Sequence, residues 1–143
     1  MADVEKIAKY IIGALEVDNL KLQKLLYYSQ AVFLCLNKNE KPLFTDRIEA
    51  WQYGPVVPVI YHKYKPNGFE TIPSDNEDEV DLSADELKAV DLTLSYYGKM
   101  SPMDLVTRTH NEDPWKNVYK PRQNNEITTE SIYEFYKDHI KVS

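Results

Sequence analysis

Apolar residues near the start of the chain recur at helical spacing. They occupy positions three or four residues apart: Val4, Ile7, Ala8, Ile11, Ile12 and Leu15. This period predicts an amphipathic helix over residues 3–15. The next segment, LKLQKLLYYSQAVFLCLN, is apolar on several faces. It is therefore predicted as a longer helix, with Asn19 as its N-cap, at the centre of a helical core.

Capping residues mark further helices in the second half of the chain. Ser83 and Glu86 form the capping-box pattern, and the helix that follows them is expected to stop at Gly98. Ser101 stands before a proline, which is the usual start of another helix. The closing segment, TTESIYEFYKDHIK, carries apolar residues on one face and predicts a C-terminal helix.

A short β element is expected between these helical regions. The segment LFTDRIEAWQY alternates between apolar and polar positions and predicts one or two short strands. An acidic, turn-rich stretch at about 66–82 predicts an exposed loop, with a hairpin around PNG as one interpretation. The predicted fold is mainly α: a single-domain helical bundle over residues 1–143, with a small central β-hairpin or short antiparallel sheet.

The segment WQYGPVVPVIYHKY predicts a corner between a strand and a helix. Gly54 precedes a proline and is pushed towards extended geometry, whereas Pro55 suits the start of a helix. The chain is therefore expected to leave a strand at Tyr53 and to enter a helix immediately. The side chains expected to face inward from that helix are Val56, Ile60 and Tyr64.

Aromatic residues gather at this corner, and two interpretations fit them. Aromatic side chains dominate protein cores, and they also dominate the residues that anchor protein interfaces. The opposite side of the predicted helix is expected to lie nearer the surface. The candidate partner-binding residues are Trp51, Tyr53, Val57, Tyr61 and His62, with Gly54 and Pro55 as the structural residues that fix the corner.

The net charge of −6 argues against a general nucleic-acid binder, because phosphate affinity comes mainly from Lys and Arg. Residues 70–86 hold eight acids and no base, so the rest of the chain has a net charge of +2. A local basic patch is compatible with that distribution. Nucleic acid is accordingly an unexpected partner, and so is a DNA-repressor role at the protein's own operon.

The cysteine and the N-terminal segment bear on localisation. Cys35 lies in the apolar run AVFLCL, where a free thiol is typically a small buried hydrophobe, and this suits a reducing cytosol. The first residues place acids before the apolar positions, so they predict neither a signal peptide nor a membrane span. We expect a cytoplasmic protein with no membrane partner.

The main candidate for chemistry is the segment THNEDPW. His110, Glu112 and Asp113 are close enough to form a metal site or a general-base pair, and His62 is a further candidate. However, no second His lies at ligand spacing, and no nucleophile motif or phosphate loop occurs. We therefore predict no catalytic residue, no metal and no cofactor.

The same segment has a structural interpretation. A partly charged His110 at a helix end suits the helix dipole, and Asp113 is placed to cap a helix that Pro114 opens beside Trp115. The sequence gives this interpretation more weight than catalysis.

Several of these motifs together resemble a known family. The segments KLQKLLYYSQAVFL, WQYGPV and YGKMSPMDLVTRTHNEDPW are similar to the Panacea domain of SocA-like, prophage-associated antitoxins. The resemblance covers nearly the whole chain. It implies a protein that binds and neutralises a cognate toxin encoded nearby, with a protease or chaperone as a further partner. The alternatives are a small metal-dependent hydrolase built on the THNEDPW cluster and an adaptor that presents a partner to a protease.

Overall fold

Helices account for most of the chain in the computed structural model, which describes residues 2–74 and 81–140. The helices are α1 (Val4–Ala14), α2 (Asn19–Leu36), α3 (Pro58–Tyr64), α4 (Ala84–Tyr97), α5 (Pro102–His110), α6 (Asp113–Lys116) and α7 (Thr129–Tyr136). The strands are β1 (Glu49–Trp51) and β2 (Gly54–Val56). The prediction of a mainly α fold with a short antiparallel sheet is confirmed.

Helix α2 is the centre of the core. Its residues from Leu22 to Leu34 are buried on every face, because α1, α4, α5 and α7 pack around it together with β2. The predicted position of this helix is confirmed, but its predicted cap is wrong. Asp18 is the N-cap, and its carboxylate accepts a hydrogen bond from the Lys21 N–H at 2.8 Å. Asn19 lies inside the helix, where its side-chain amide donates to the Tyr61 carbonyl at 3.1 Å.

The predicted boundaries of α4 and the predicted start of α5 agree with the structure. Ser83 and Glu86 form a capping box at the start of α4, and Gly98 is its C-cap. The Ser101 hydroxyl accepts a hydrogen bond from the Asp104 N–H at the start of α5. Short polar side chains thus satisfy the backbone N–H groups that the first turn of each helix leaves unpaired.

The sheet is a two-stranded antiparallel hairpin. The partners are Glu49 with Val56, Ala50 with Pro55, and Trp51 with Gly54. On the other edge of β1, an antiparallel bridge joins Glu49 to Glu126, and the Ala50 N–H donates to the Asn125 carbonyl at 2.8 Å. The segment before α7 therefore covers the outer edge of β1 and brings residues far apart in sequence together.

The segment after α3 differs from the predicted loop in two places. Residues Lys65–Asn67 form a 3-10 helix that ends at Gly68, so the hairpin interpretation of PNG is wrong. Ile72 is buried in the core, and its N–H donates to the Val17 carbonyl at 2.8 Å. The predicted exposure is therefore wrong at Ile72, while residues 75–80 of the acidic loop lie outside the described residues.

Among residues 2–74 and 81–140, no helix is both long enough and apolar enough to cross a bilayer.

Candidate functional site

The predicted corner is a tight hairpin followed by a helix. Gly54 has φ of 106°, a left-handed conformation, and it begins β2. Pro55 pairs with Ala50 inside β2, so the prediction that it starts the helix is wrong. The helix begins three residues later, with Pro58 in its first turn. Extended backbone persists through Val57 because partners in α2 satisfy its polar groups.

Those partners are two polar side chains of α2. Gln23 Oε1 accepts a hydrogen bond from the Val57 N–H at 2.9 Å, and Lys24 Nζ donates to the Pro55 carbonyl at 3.0 Å. Lys24 is completely buried, and this burial lowers its pKa to about 7. The helical pattern did not identify this role. The available signal was a glutamine and a lysine inside a helix that is apolar on several faces.

Gly54 lies directly over Lys24. A Cβ atom at this position would be 2.8 Å from Lys24 Cε and 2.8 Å from Thr109 Oγ1. At these distances Lys24 or Thr109 would have to shift to admit a Cβ atom, and the positive φ separately disfavours a side chain. The glycine thus lets β2 approach both α2 and α5, in agreement with its predicted structural role.

Three of the predicted partner-binding residues form a cluster, which we call the aromatic corner: Trp51, Tyr61 and His62. The Trp51 and Tyr61 ring centroids lie 4.9 Å apart with the rings edge to face, and those of Tyr61 and His62 lie 5.4 Å apart. Trp51 Nε1 also donates to Glu49 Oε1 at 2.9 Å. His62 is exposed, and Trp51 and Tyr61 are partly exposed, so the cluster presents aromatic surface to the solvent.

The other two candidates differ in burial. Tyr53, in the hairpin turn, is 54% exposed. Val57 is 0% exposed, so the prediction that it lies near the surface is wrong. The cause is the late helix start, which leaves Val57 as the extended N-cap residue of α3. Of the predicted inward residues, Val56 and Ile60 are buried, whereas Tyr64 is partly exposed.

The residues of the THNEDPW segment extend the aromatic surface inward. The His110 ring stacks on Trp115 with centroids 4.0 Å apart, and Trp115 stacks on Tyr119 at 4.5 Å. Trp115 Nε1 donates to the Trp51 carbonyl at 2.8 Å, which joins α6 to the hairpin. Burial lowers the pKa of His110 and favours the neutral ring, contrary to the partly charged imidazole expected at this helix end.

Asp113 does not cap the helix that follows it. It is the first residue of α6, Glu112 takes the N-cap position, and Pro114 follows inside the first turn. Glu112 does not cap through its side chain either. Its Oε1 instead accepts hydrogen bonds from the hydroxyls of Tyr28 at 2.6 Å and Tyr136 at 2.7 Å. The predicted capping role of Asp113 is therefore wrong, because Asp113 already lies inside the helix and is not its N-cap residue.

Glu112 belongs to a buried cluster of tyrosines that the sequence did not reveal. Tyr28 stacks on Tyr97 with centroids 4.0 Å apart, and the hydroxyls of Tyr27 and Tyr136 lie 3.0 Å apart. Burial raises the pKa of each of these tyrosines, so their hydroxyls stay protonated at neutral pH. A protonated hydroxyl donates readily to a carboxylate, which explains how Glu112 is held.

Two members of the predicted catalytic cluster, His110 and Glu112, thus make contacts with different aromatic residues. The carboxylate of Glu112 is occupied by two tyrosines, and the ring of His110 is stacked against Trp115. Within residues 2–74 and 81–140, no three His, Cys, Asp or Glu side chains are grouped so that they could hold a metal ion.

A groove of about 470 Å³ lies beside the aromatic corner. One side is formed by the hairpin residues Ala50, Trp51 and Gln52, and the other by Tyr119, Pro121, Arg122 and Asn124. The second wall has an unusual backbone, because Arg122 and Asn124 both have positive φ, at 67° and 48°.

Residues 116–125 carry bases but no acid. We call the bases Lys116, Lys120 and Arg122 the basic strip. All three side chains are exposed, and no ion pair joins any of them to another described residue. Arg122 lines the groove, and Lys120 lies two residues before it in the chain, so the groove of this acidic protein has a basic residue with no ion-pair partner among the described residues.

Comparison with known proteins identifies the family. The family model described as "Antitoxin SocA-like, Panacea domain" matches residues 22–116. The chain is also 33% identical over 111 residues to Antitoxin SocA of Caulobacter vibrioides (strain NA1000 / CB15N). That alignment covers 69% of this chain and 58% of the relative, so the chain spans less than two thirds of the relative's length.

No solved structure matches the chain. The matched segment runs from the first turn of α2 to the end of α6 and includes the aromatic corner and the tyrosine residues of α2 and α4, whereas α7 and most of the basic strip follow it. The resemblance drawn from the sequence motifs is confirmed, and the chain belongs to the SocA-like antitoxin family defined by the Panacea domain.

Proposed function

We propose that this chain is the antitoxin of a bacterial or prophage toxin–antitoxin pair and that it neutralises a cognate toxin by direct protein–protein binding. The observation that carries the proposal is membership of a family whose relative is named an antitoxin. In this role the protein acts by occupying a surface of its partner and catalyses no reaction.

The aromatic corner is the surface that we assign to this binding. Interface energy is concentrated in a few aromatic and arginine anchors held on rigid elements. Trp51 is held by its hydrogen bond to Glu49 and by the bond from Trp115 to its carbonyl. Tyr61 lies on α3, whose first turn is fixed by the buried contacts of Val57. The rings are therefore ordered before binding, which reduces the entropy lost on association.

The metal-dependent hydrolase has less support from the geometry. A general base must reach the proton that it removes, and a metal ligand must have a free lone pair. Oε1 of Glu112 accepts two hydrogen bonds inside the protein, and His110 is stacked and partly buried. A binding role uses the exposed residues of this region, whereas the hydrolase requires Glu112, whose Oε1 already accepts hydrogen bonds from two tyrosines.

The proposal is tested by co-expression with the product of the adjacent gene. The parent chain is expected to restore growth and to bind that protein after purification. Tyr61→Ala and His62→Ala are expected to weaken binding, by about 30-fold for Tyr61, which corresponds to an anchor worth about 2 kcal/mol. Tyr96→Ala is the matched control, because Tyr96 is an aromatic residue of α4 that is 71% exposed and lies outside the aromatic corner.

Each variant must first show the melting temperature of the parent. Absence of binding between the parent and the adjacent gene product would contradict the antitoxin role in this pair. Binding that is unchanged in both Tyr61→Ala and His62→Ala would instead move the interface away from the aromatic corner and leave the antitoxin role in place.

A further inference from the structure

We propose that the groove beside the aromatic corner binds an acidic segment of the toxin, in which carboxylates flank an apolar or aromatic side chain. This inference rests on the proposed antitoxin function and names the chemistry of the partner. The apolar side chain would enter between Trp51 and Tyr119, and the carboxylates would meet the basic strip.

The charge of the strip is the first argument. Other arginines of the protein are already paired: Arg47 lies 2.9 Å from Glu49 and 3.2 Å from Glu126, and Arg108 lies 3.9 Å from Glu112. Among the described residues, Arg122 and Lys120 have no such carboxylate. An unpaired guanidinium at the edge of a groove is suited to a bidentate contact with a carboxylate from outside.

The second argument is that the aromatic side chains of the two walls, Trp51 and Tyr119, are held in place. Trp115 stacks on Tyr119 and donates its indole N–H to the Trp51 carbonyl. The two sides of the groove are thus tied to one residue of α6. The volume of about 470 Å³ fits one or two side chains of a bound segment and lies within the usual range for binding pockets.

The position of the strip along the chain is the third argument. The family match ends at Lys116, so Lys120 and Arg122 belong to the segment that follows the shared domain. Trp51, on the opposite side of the groove, lies inside the match. The groove therefore combines an aromatic side within the matched residues with a charged side beyond them.

An acidic protein segment fits the electrostatics better than a nucleic acid does. Binding a phosphate chain requires many neutralising cations, and each further phosphate would face a protein of net charge −6. A short segment with two or three carboxylates needs only the few bases at Arg122 and Lys120, and its neighbouring side chain would lie against Trp51 and Tyr119. Phosphates that extend beyond the groove would be repelled by the net negative charge of the rest of the protein.

The test uses the purified product of the adjacent gene as the probe and measures its Kd for the full chain. The double variant Lys120→Glu/Arg122→Glu is expected to weaken binding by at least about 30-fold. The matched control is Lys88→Glu/Lys99→Glu, which makes the same change of charge at exposed lysines that do not line the groove. It is expected to change the Kd by less than about threefold.

Salt dependence provides a second readout. For the parent, raising NaCl from about 50 mM to about 300 mM should weaken binding, since contacts between exposed charges are screened over that range. For the groove variant, the salt effect should be smaller or reversed. Both double variants are checked by thermal unfolding, so that a loss of binding is not a loss of fold.

The outcomes separate this inference from the proposed function. If the parent binds the gene product and the groove variant binds equally well, the acidic-segment inference is overturned and the antitoxin role stands. If the parent does not bind the gene product, both fail together. If a single-stranded DNA of about 12 nucleotides binds the parent, and the groove variant loses DNA while it retains the gene product, the groove is a nucleic-acid site and the inference is overturned.

Discussion

The hydroxyl of Tyr136 donates a hydrogen bond of 2.7 Å to Oε1 of Glu112. The same oxygen accepts a hydrogen bond from the Tyr28 hydroxyl at 2.6 Å. One carboxylate therefore joins the C-terminal helix, the central helix and the start of α6. Tyr136 lies after the segment that matches the family, so this contact is one of those that join α7 to the matched residues, together with the packing of α7 on α2.

Replacing Glu112 with alanine is expected to destabilise the protein by about 3 kcal/mol, because two buried hydroxyls lose a charged acceptor. The free energy of unfolding in urea gives the measurement. The matched control is Asp113→Ala, which removes the next carboxylate along the chain. Asp113 is exposed and caps nothing through its side chain, so its loss is expected to cost about 0.5 kcal/mol or less. Equal effects of the two changes would contradict the assigned role of Glu112.

Alanine at Gly54 is expected to cost about 3 kcal/mol, since it adds a close contact with Lys24 and Thr109 to the strain of a positive φ. Gly68→Ala is the control for backbone strain alone. Gly68 also has a positive φ, of 59°, but a Cβ there would meet nothing within 4 Å. We expect it to cost about 1 kcal/mol. If chemical denaturation gives the same loss of stability for both variants, the close contact of position 54 with Lys24 and Thr109 adds nothing to the cost of the positive φ.

The buried amine of Lys24 predicts how stability changes with pH. Its pKa is about 7 in the folded chain and has the ordinary value of 10.5 in the unfolded chain, so the unfolded state binds more protons between these values. The contribution of Lys24 to stability is therefore least favourable below pH 7 and improves as the pH rises towards 10.5.

The comparison is between the parent and Lys24→Met, which keeps a long apolar side chain without the titrating amine. The stability of the parent relative to the variant is expected to rise by about 2 kcal/mol from about pH 7 to about pH 9. Urea titrations at several pH values measure the difference, and the other titrating groups cancel in it. A difference that is constant over this range would show that Lys24 is not desolvated as the structure places it.

Ile72 is expected to fix the segment after α3 to the core. Ile72→Ala should lower the free energy of unfolding by about 3 kcal/mol, as expected for a buried isoleucine. Phe69→Ala is the control in the same segment, because Phe69 is 88% exposed and its removal leaves no cavity. It should change stability by less than about 0.5 kcal/mol. If Ile72→Ala changed the free energy of unfolding as little as Phe69→Ala does, the loop would be wholly exposed, as the sequence predicted.

The helices were predictable because their signals are local. Capping requires only a short polar side chain and a backbone N–H two or three residues away, so Ser83, Ser101 and the stop at Gly98 could be identified from the sequence. The central position of α2 followed from apolar residues on all of its faces. The aromatic corner was also predictable in part, since Trp51, Tyr61 and His62 are close in sequence as well as in space.

Tertiary contacts decided the remaining features, because their partners lie far apart along the chain. Local sequence favours a helix at Pro55, but Lys24 and Gln23, more than thirty residues away, hold the backbone extended through Val57. Local sequence favours Asp113 as a cap, but Glu112 occupies the N-cap position of α6 and its carboxylate accepts hydrogen bonds from hydroxyls of α2 and α7. Burial makes such hydrogen bonds costly to lose, so it overrides a local preference worth about 1 kcal/mol.

The groove shows the same division between sequence and structure. The sequence alone determined that residues 116–125 are basic and that Trp51 is part of an aromatic segment. Only the fold placed the two side by side, because residues before α7 pair with the outer edge of β1 and carry Tyr119 and Arg122 to the hairpin. Strand pairing over such a separation depends on the assembled core, since the loop-closure entropy must be offset by many contacts at once.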